Sequence, residues 1–217
     1  ILHQVRDEFG SSLWGSMQPC EPLSPLPIPI YNKQRIHLEH PTAVQSSLRL
    51  GCPLVDRSHP DFVALKVLVT VLGGYFGSRL MSNIREEKGY TYGISATIAS
   101  FPFQGYLAIG TETDNEYVEA CIREVKHEMR RLQDELIPEQ ELAMVKSYMM
   151  GEMCRSYEGA FSLSDAWIFV ETAGLEKTFF QTLAEKIRCV TADELQEMAI
   201  RYFRPDDMVE VVAGKKV

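Results

Sequence analysis

The chain has 217 residues, of which 45% are hydrophobic and 24% are charged, the composition of an ordinary globular protein. Its formal net charge of -8 argues against nucleic acid or an anionic membrane surface as a partner. No apolar run approaches the roughly 18 residues that a membrane span needs. A chain of this length can form one substantial hydrophobic core.

The cysteines are widely scattered, and none of them forms a Cys-x-x-Cys pair. Because their number is odd, they cannot all pair within the chain, and we expect free thiols in a reducing compartment, the cytoplasm. The chain starts at Ile1 without an initiator methionine and without an apolar signal segment, so we expect it to begin inside a longer protein. The cysteines are Cys20, Cys52, Cys121, Cys154 and Cys189.

The N-terminal region reads as a domain boundary. Apolar residues at i, i+3 and i+7 predict that residues 1–10 are the end of a helix, which we assign to the last helix of a preceding domain. Five prolines between Pro19 and Pro29 preclude a regular helix, so residues 11–33 are predicted to form an extended interdomain linker. Residues 34–217 then form the main domain.

Two strands and an apolar helix open this domain. Alternation predicts strands over 34–40 and 43–52, and the second strand has Val44, Leu48 and Leu50 on one face. A serine cap at Ser58 is predicted to start a helix that is apolar nearly all round and therefore buried in the core. This helix is expected to reach residue 72 and to stop at two glycines.

The remaining elements predict the fold class. A short helix over 78–87 is followed by a hairpin of strands over 92–100 and 106–113. Helical periodicity and caps, the last of them at Thr191, then predict a block of helices over 113–136, 137–158, 160–173, 177–188 and 192–203. A closing strand follows at 208–213. Strands joined by hairpins, with helices in blocks, indicate an α+β fold: a mostly antiparallel β-sheet with helices packed on one face.

The stretch 73–93, GGYFGSRLMSNIREEKGYTYG, holds two residues suited to chemistry at a peptide bond. Arg85 carries a permanently charged fork of donors. Tyr92 carries a hydroxyl that can donate to an oxyanion. They lie seven residues apart across a tight helix-to-strand turn, so we expect both to point into one cleft.

This stretch resembles a known family. A helix that ends in Leu-Gly-Gly, followed by Ser-Arg-Leu and then Ile-Arg-Glu-x-x-Gly-x-x-Tyr, is similar to the second, metal-free domain of the insulinase, pitrilysin and mitochondrial processing peptidase family. The resemblance extends over roughly residues 34–213. Order and spacing match over about twenty contiguous residues.

The resemblance implies a function for the whole protein. In that family, the arginine and tyrosine that match Arg85 and Tyr92 hold a peptide substrate near a zinc ion bound by the first domain. The chain would be the C-terminal half of a zinc metallopeptidase and would form one wall of a peptide-binding chamber. It would need no cofactor of its own, would be inactive alone, and would work with an N-terminal catalytic domain or a homologous subunit.

Other interpretations of the two residues stay open at this point. Arg85 could be a surface arginine paired with Glu86 or Glu87. The alternation of the following strand places Tyr92 on the same face as Ile94, so its ring could belong to the core. Tyr90, which has the same parity, offers an alternative hydroxyl.

The glycine-rich loop that precedes the motif is a further candidate. It lacks Gly-Lys-Ser/Thr and follows a helix, which excludes a phosphate-binding loop. It could be a flexible turn, or Gly73, Gly74 and Gly77 could let a bound peptide approach the backbone closely.

A zinc site is not expected in this chain. The segment His37-Leu38-Glu39-His40 is one residue shorter than the catalytic His-x-x-Glu-His motif, and on a strand its two histidines face opposite ways. His127 has no second histidine at helical spacing, and no Gly-x-Ser-x-Gly elbow occurs. Two rival functions remain: a non-catalytic scaffold or peptide-binding subunit of the same fold, and a homo-oligomeric peptide-binding module that works alone.

Overall fold

A computed structural model describes residues 2–9 and 33–216 of the chain. The predicted linker therefore lies almost entirely outside the described residues. In chain order the elements are α1 Leu2–Phe9, β1 Arg35–Glu39, β2 Gln45–Leu54, α2 Phe62–Val69, a first π-helical turn Thr70–Gly74, a second π-helical segment Met81–Glu87, β3 Thr91–Phe101, β4 Gln104–Asp114, a 3₁₀ turn Asn115–Tyr117, α3 Val118–Asp134, α4 Glu139–Ser156, α5 Ala160–Thr172, α6 Phe179–Cys189, α7 Ala192–Tyr202 and β5 Val209–Gly214.

The strands form one five-stranded sheet in the order β1-β5-β2-β4-β3. The pairs β2–β4, β2–β5 and β3–β4 are antiparallel, and β1 and β5 are parallel. Strands β3 and β4 form the predicted hairpin, which leaves β3 at one edge of the sheet.

The sheet buries only one of its faces. Alternate residues of β2 and β4 are buried, whereas their neighbours are exposed or half-buried. Helix α2 and both π-helical segments pack on the buried face, with α2 further packed against α6 and α7. The predicted fold class, a mostly antiparallel α+β sheet with helices on one face, is confirmed.

Helix α2 is the centre of the core, as its apolar sequence predicts. Its residues are buried except for Lys66. The predicted serine cap is wrong: the Ser58 hydroxyl donates to Asp56 Oδ1 over 2.5 Å, and the helix begins four residues later at Phe62. Residues 58–61 form turns and not the first turn of the helix, so Ser58 lies too far upstream to cap it.

The predicted apolar face of β2 is partly confirmed, and the predicted cap of α7 is confirmed. Leu48 and Leu50 are buried as predicted, but Val44 is 85% exposed because it precedes the first paired residue of β2. The cap of the last helix is confirmed, since Thr191 Oγ1 accepts a hydrogen bond of 3.2 Å from the backbone N–H of Glu194.

The thiols in the described part of the chain are free. Cys52 and Cys121 are buried, whereas Cys154 and Cys189 are exposed. Burial raises the pKa of Cys52 to about 11, and the charge of Arg204 partly opposes that rise. Within residues 2–9 and 33–216, no helix combines the length and the apolarity that crossing a membrane requires.

Candidate functional site

The predicted site lies where α2 ends and the chain passes through two π-helical segments to β3. The glycine-rich loop between those segments carries Tyr75, whose ring stacks on Tyr148 of α4 at 5.1 Å between centroids. Burial, together with the charge of Glu141, raises the pKa of Tyr75. The first of the two π-helical segments is kinked at Gly73, whose backbone angles (φ -159°, ψ 16°) are not helical, so this connection is an irregular local structure.

Gly73 has a packing role. It is buried, and a Cβ built on it would lie 2.7 Å from both the Cβ and the backbone N of Ala96 in β3. Its missing side chain lets the end of the helix approach the sheet, so the prediction that Gly73 approaches a bound peptide is not supported by its position. Gly74 and Gly77 are exposed and stay accessible to a peptide.

Arg85 belongs to the second π-helical segment and is half-buried. Its guanidinium lies over the ring of Phe76, 4.6 Å from the ring centroid. It forms no ion pair with any residue in the described part of the chain, so the pairing with Glu86 or Glu87 is not observed. The glycine-rich loop therefore positions Arg85 through a cation–π contact and leaves its charge uncompensated.

Tyr92 is 90% exposed, which excludes the alternative that its ring belongs to the core. The cause is a β-bulge: the register with β4 shifts between Thr91 and Ile94. The bulge breaks the alternation on which the parity argument rests, so Ile94 is buried while Tyr92 faces solvent.

Threonine hydroxyls stabilise this bulge. Thr91 Oγ1 donates to Glu112 O over 2.6 Å, and Thr111 Oγ1 donates to Gly93 O over 2.8 Å. These side chains give the displaced backbone groups partners that the regular ladder no longer supplies. Tyr90, the alternative hydroxyl, is half-buried and stacks on Tyr117 with centroids 4.7 Å apart.

A buried polar network behind Arg85 was missed by the sequence analysis. Asn83 Nδ2 donates to Glu128 Oε1 over 2.7 Å and to Glu124 Oε2 over 3.1 Å, which joins the second π-helical segment to α3. Arg79 forms a bidentate ion pair with Glu141 of α4 at 2.9 and 3.0 Å. A glutamate at a buried helix position was the available signal, because Glu128 lies three residues after Val125 on the apolar stripe of α3.

The histidines of the predicted short motif do not converge. His37 and Glu39 lie on β1, 3.4 Å apart between Nε2 and Oε2, and His37 Nε2 is also 3.2 Å from Gly214 O. Among residues 2–9 and 33–216, no group of three or more histidine, cysteine, aspartate or glutamate side chains is arranged to hold a metal ion.

This one-sided sheet, with its helix–loop–π-helix connection at the edge strand, defines an α+β domain of the kind that the sequence resemblance implies. The chain belongs to the peptidase M16 inactive-domain family, whose family model matches residues 1–149. The resemblance to the metal-free domain of a zinc peptidase family is thereby confirmed.

Curated relatives are similar over most of this chain. A protein of Helicobacter pylori named "Non-peptidase homolog YmxG" is 27% identical over 79% of this chain and 40% of its own length. An "Uncharacterized zinc protease YmxG" of Bacillus subtilis is 30% identical over 54% of this chain and 29% of its own length. The chain thus spans less than half the length of these relatives, and their names differ on whether they hydrolyse peptides.

Solved structures share the fold. A peptidase M16 inactive domain from Pseudomonas fluorescens superposes with a TM-score of 0.79 at 26% identity, over 90% of this chain and 47% of that one. A protease from Helicobacter pylori gives a TM-score of 0.87 at 16% identity, over 98% and 51%. The periplasmic protease PqqL from Escherichia coli gives 0.76 at 15% identity, over 99% and 24%. Because that protein is periplasmic, the fold alone does not specify the cytoplasm.

Proposed function

We propose that this chain is the non-catalytic half of a zinc metallopeptidase and that it contacts a peptide substrate through Arg85 and Tyr92. The observation that carries the proposal is the pair itself: an arginine without an ion-pair partner in the described chain and a tyrosine that a bulge displaces into solvent. Apart from the cation–π contact of Arg85 with Phe76, neither side chain is held by an ion pair or by burial in the core of the described chain. Both donate hydrogen bonds suited to peptide carbonyls and to a tetrahedral oxyanion.

The zinc ion and the general base would come from an N-terminal catalytic domain or from a homologous partner subunit. Zinc would polarise the scissile carbonyl and activate a water molecule there. This chain would form one wall of the peptide-binding chamber, for which the uncovered face of its sheet is available. Alone, it would be inactive.

The N-terminal segment supports an arrangement in two domains. Leu2 and Val5 of α1 are 86% and 51% exposed, so this helix presents apolar side chains with no cover among the described residues. We therefore propose that residues 1–10 pack on a preceding domain and that residues 11–33 connect it to the domain over 34–217.

The test measures peptide hydrolysis by the intact protein that contains this chain. Tyr92→Phe should lower kcat/KM by about 10²–10³-fold, the usual effect of removing one oxyanion donor. Arg85→Ala should also lower it, and Arg85→Lys should not restore it, because a lysine lacks the planar fork. Tyr157→Phe, a half-buried tyrosine at the end of α4 and not on the uncovered sheet face, is the matched control and should retain activity. Full activity of both Arg85→Ala and Tyr92→Phe would contradict the proposal.

A second candidate is a scaffold or peptide-binding subunit without hydrolysis. The Helicobacter pylori relative named a non-peptidase homolog favours it. In that case the intact protein would bind peptides without cleaving them, and it would carry no stoichiometric zinc. Metal analysis of the intact protein, together with a peptide-binding assay, separates the two candidates.

A further inference from the structure

A groove that is lined by neither Arg85 nor Tyr92 contains a lysine without a carboxylate partner in the described chain, Lys66. Two adjoining cavities, of about 340 and 570 Å³, lie between α2, the edge strand β3, α4 and α6, with α5 at one end. We call them together the Lys66 groove. They share the residues Phe62, Lys66, Ile98, Ser156, Tyr157 and Leu183, so Lys66 faces both cavities.

The ammonium group of Lys66 has no partner within the described chain. No carboxylate there lies within 4 Å of Nζ, and no hydrogen bond is formed by it. Two carboxylates line the groove: Glu152, which pairs with Arg155, and Asp165. The neighbouring side chains desolvate the ammonium and lower the pKa of Lys66. The Lys66 side chain is nevertheless exposed, so an anion that enters the groove can reach its ammonium group.

A second hydrogen-bond donor in the groove, the Tyr157 hydroxyl, also suits an anionic ligand. The pKa of Tyr157 is raised by burial, and its hydroxyl forms no hydrogen bond within the described residues. The Tyr157 ring packs on Phe180 at 4.6 Å between centroids. An ammonium and a phenolic hydroxyl together suit a carboxylate, which accepts hydrogen bonds from both.

The walls of the larger cavity are aromatic. Phe169, Phe179 and Phe180 contact one another with centroids 5.3–6.5 Å apart, and Arg57 lies over the Phe169 ring at 4.8 Å. Arg57 donates to the backbone carbonyl of Ser100 and forms no ion pair in the described chain. The groove therefore offers an aromatic wall next to two cations without carboxylate partners in the described chain. Its volume is in the range of small-molecule sites.

We propose that the Lys66 groove binds a small aromatic carboxylic acid, with the carboxylate on Lys66 and Tyr157 and the aromatic body against the phenylalanine wall. This site is separate from the peptide contacts of Arg85 and Tyr92. It does not depend on whether the intact protein hydrolyses peptides.

The test titrates 4-phenylbutyrate into the full chain by calorimetry, with the uncharged 4-phenylbutyramide as the matched ligand. The acid should bind at least tenfold more tightly than the amide. Lys66→Met should abolish that difference, whereas Lys66→Arg should keep it. Lys215→Met, which removes an exposed lysine beyond the far strand β5, should bind the acid as the unmodified chain does.

Methyl chemical shifts locate the ligand. Ile98 and Leu183 should shift on addition of the acid, whereas Val212 of β5 should not. Equal affinity for acid and amide, unchanged affinity in Lys66→Met, or no binding at millimolar acid would overturn the proposal. Because Lys66 occupies an exposed position of α2, the methionine variant should fold normally, and circular dichroism checks this.

Discussion

Asn83 and Glu128 are joined by a hydrogen bond of 2.7 Å, from Nδ2 to Oε1, that connects the second π-helical segment to α3. Both side chains are buried. Arg85 lies two residues after Asn83, so this bond fixes the backbone that carries the proposed substrate contact. The proposed contact would thus depend on a buried amide–carboxylate pair.

Removing Asn83 should therefore destabilise the domain. In Asn83→Ala the buried Glu128 carboxylate keeps only Arg131, at 3.3 Å, so we expect the free energy of unfolding to fall by about 1–3 kcal/mol. Urea denaturation measures it. Glu135→Gln, which removes an exposed partner of Arg131, is the control and should change stability by less than about 0.5 kcal/mol. Equal effects of the two variants would mean that the buried bond contributes no more than a surface pair.

Gly73 gives a second prediction about stability. In Gly73→Ala the new methyl group would overlap Ala96, and overpacking of this kind costs about 1–3 kcal/mol. Gly151→Ala is a matched control in α4, where nothing lies within 4 Å of the added Cβ, and it should stabilise by about 0.4–1 kcal/mol. Thermal unfolding of both variants measures the contrast. A Gly73→Ala variant as stable as the parent would show that the loop moves aside at no cost.

Phe76 should position Arg85 without contributing much to stability. Phe76 is 64% exposed, and an exposed cation–π contact contributes about 0.5–1 kcal/mol. Phe76→Ala should therefore leave unfolding nearly unchanged while weakening peptide binding by the intact protein, seen as a rise in KM or Kd. Phe161→Ala, at an exposed phenylalanine on α5, should alter neither quantity. A Phe76→Ala variant with the parent's affinity would show that Arg85 needs no support from the loop.

The raised pKa of Cys52 predicts a loss of stability at alkaline pH. The folded state holds this proton more tightly than the unfolded state, so the contribution is complete below the ordinary thiol pKa of 9.0 and is lost as pH rises to about 11. The full effect is up to about 2–3 kcal/mol. Cys52→Val, which keeps an apolar side chain in β2, should flatten the stability profile over this interval relative to the parent. Parallel profiles for the two proteins would rule out the thiol as the cause.

The sequence predicts the architecture well because the relevant signals are local. Alternation in β2 and β4, the apolar sequence of α2 and the Thr191 cap all depend on residues close together in the chain. The Ser58 cap fails because residues 58–61 form turns and the helix begins only at Phe62. Residue type alone does not show at which residue of such a stretch a helix begins.

The details of the candidate site depend on contacts between distant residues. Alternation places Tyr92 with Ile94, and only the pairing of β3 with β4 shows the bulge that separates them. The ion pair of Arg79 with Glu141 joins residues that are 62 positions apart in the chain. The hydrogen bond from Asn83 to Glu128 joins residues that are 45 positions apart. The motif identified which residues to consider, whereas the tertiary structure determined how each one is held.

The parallel pairing of β1 with β5 determines how long a linker a circular permutant of this domain would need. Arg35 lies opposite Glu210, and Glu39 lies opposite Gly214, so the edge strand β1 and its neighbour β5 run side by side in the same direction. The exit of β5 is therefore one strand length, roughly 17 Å at about 3.3 Å per residue, from the entry of β1. A linker of about six residues would join them, and a circular permutant opened elsewhere would retain every strand pairing of the sheet.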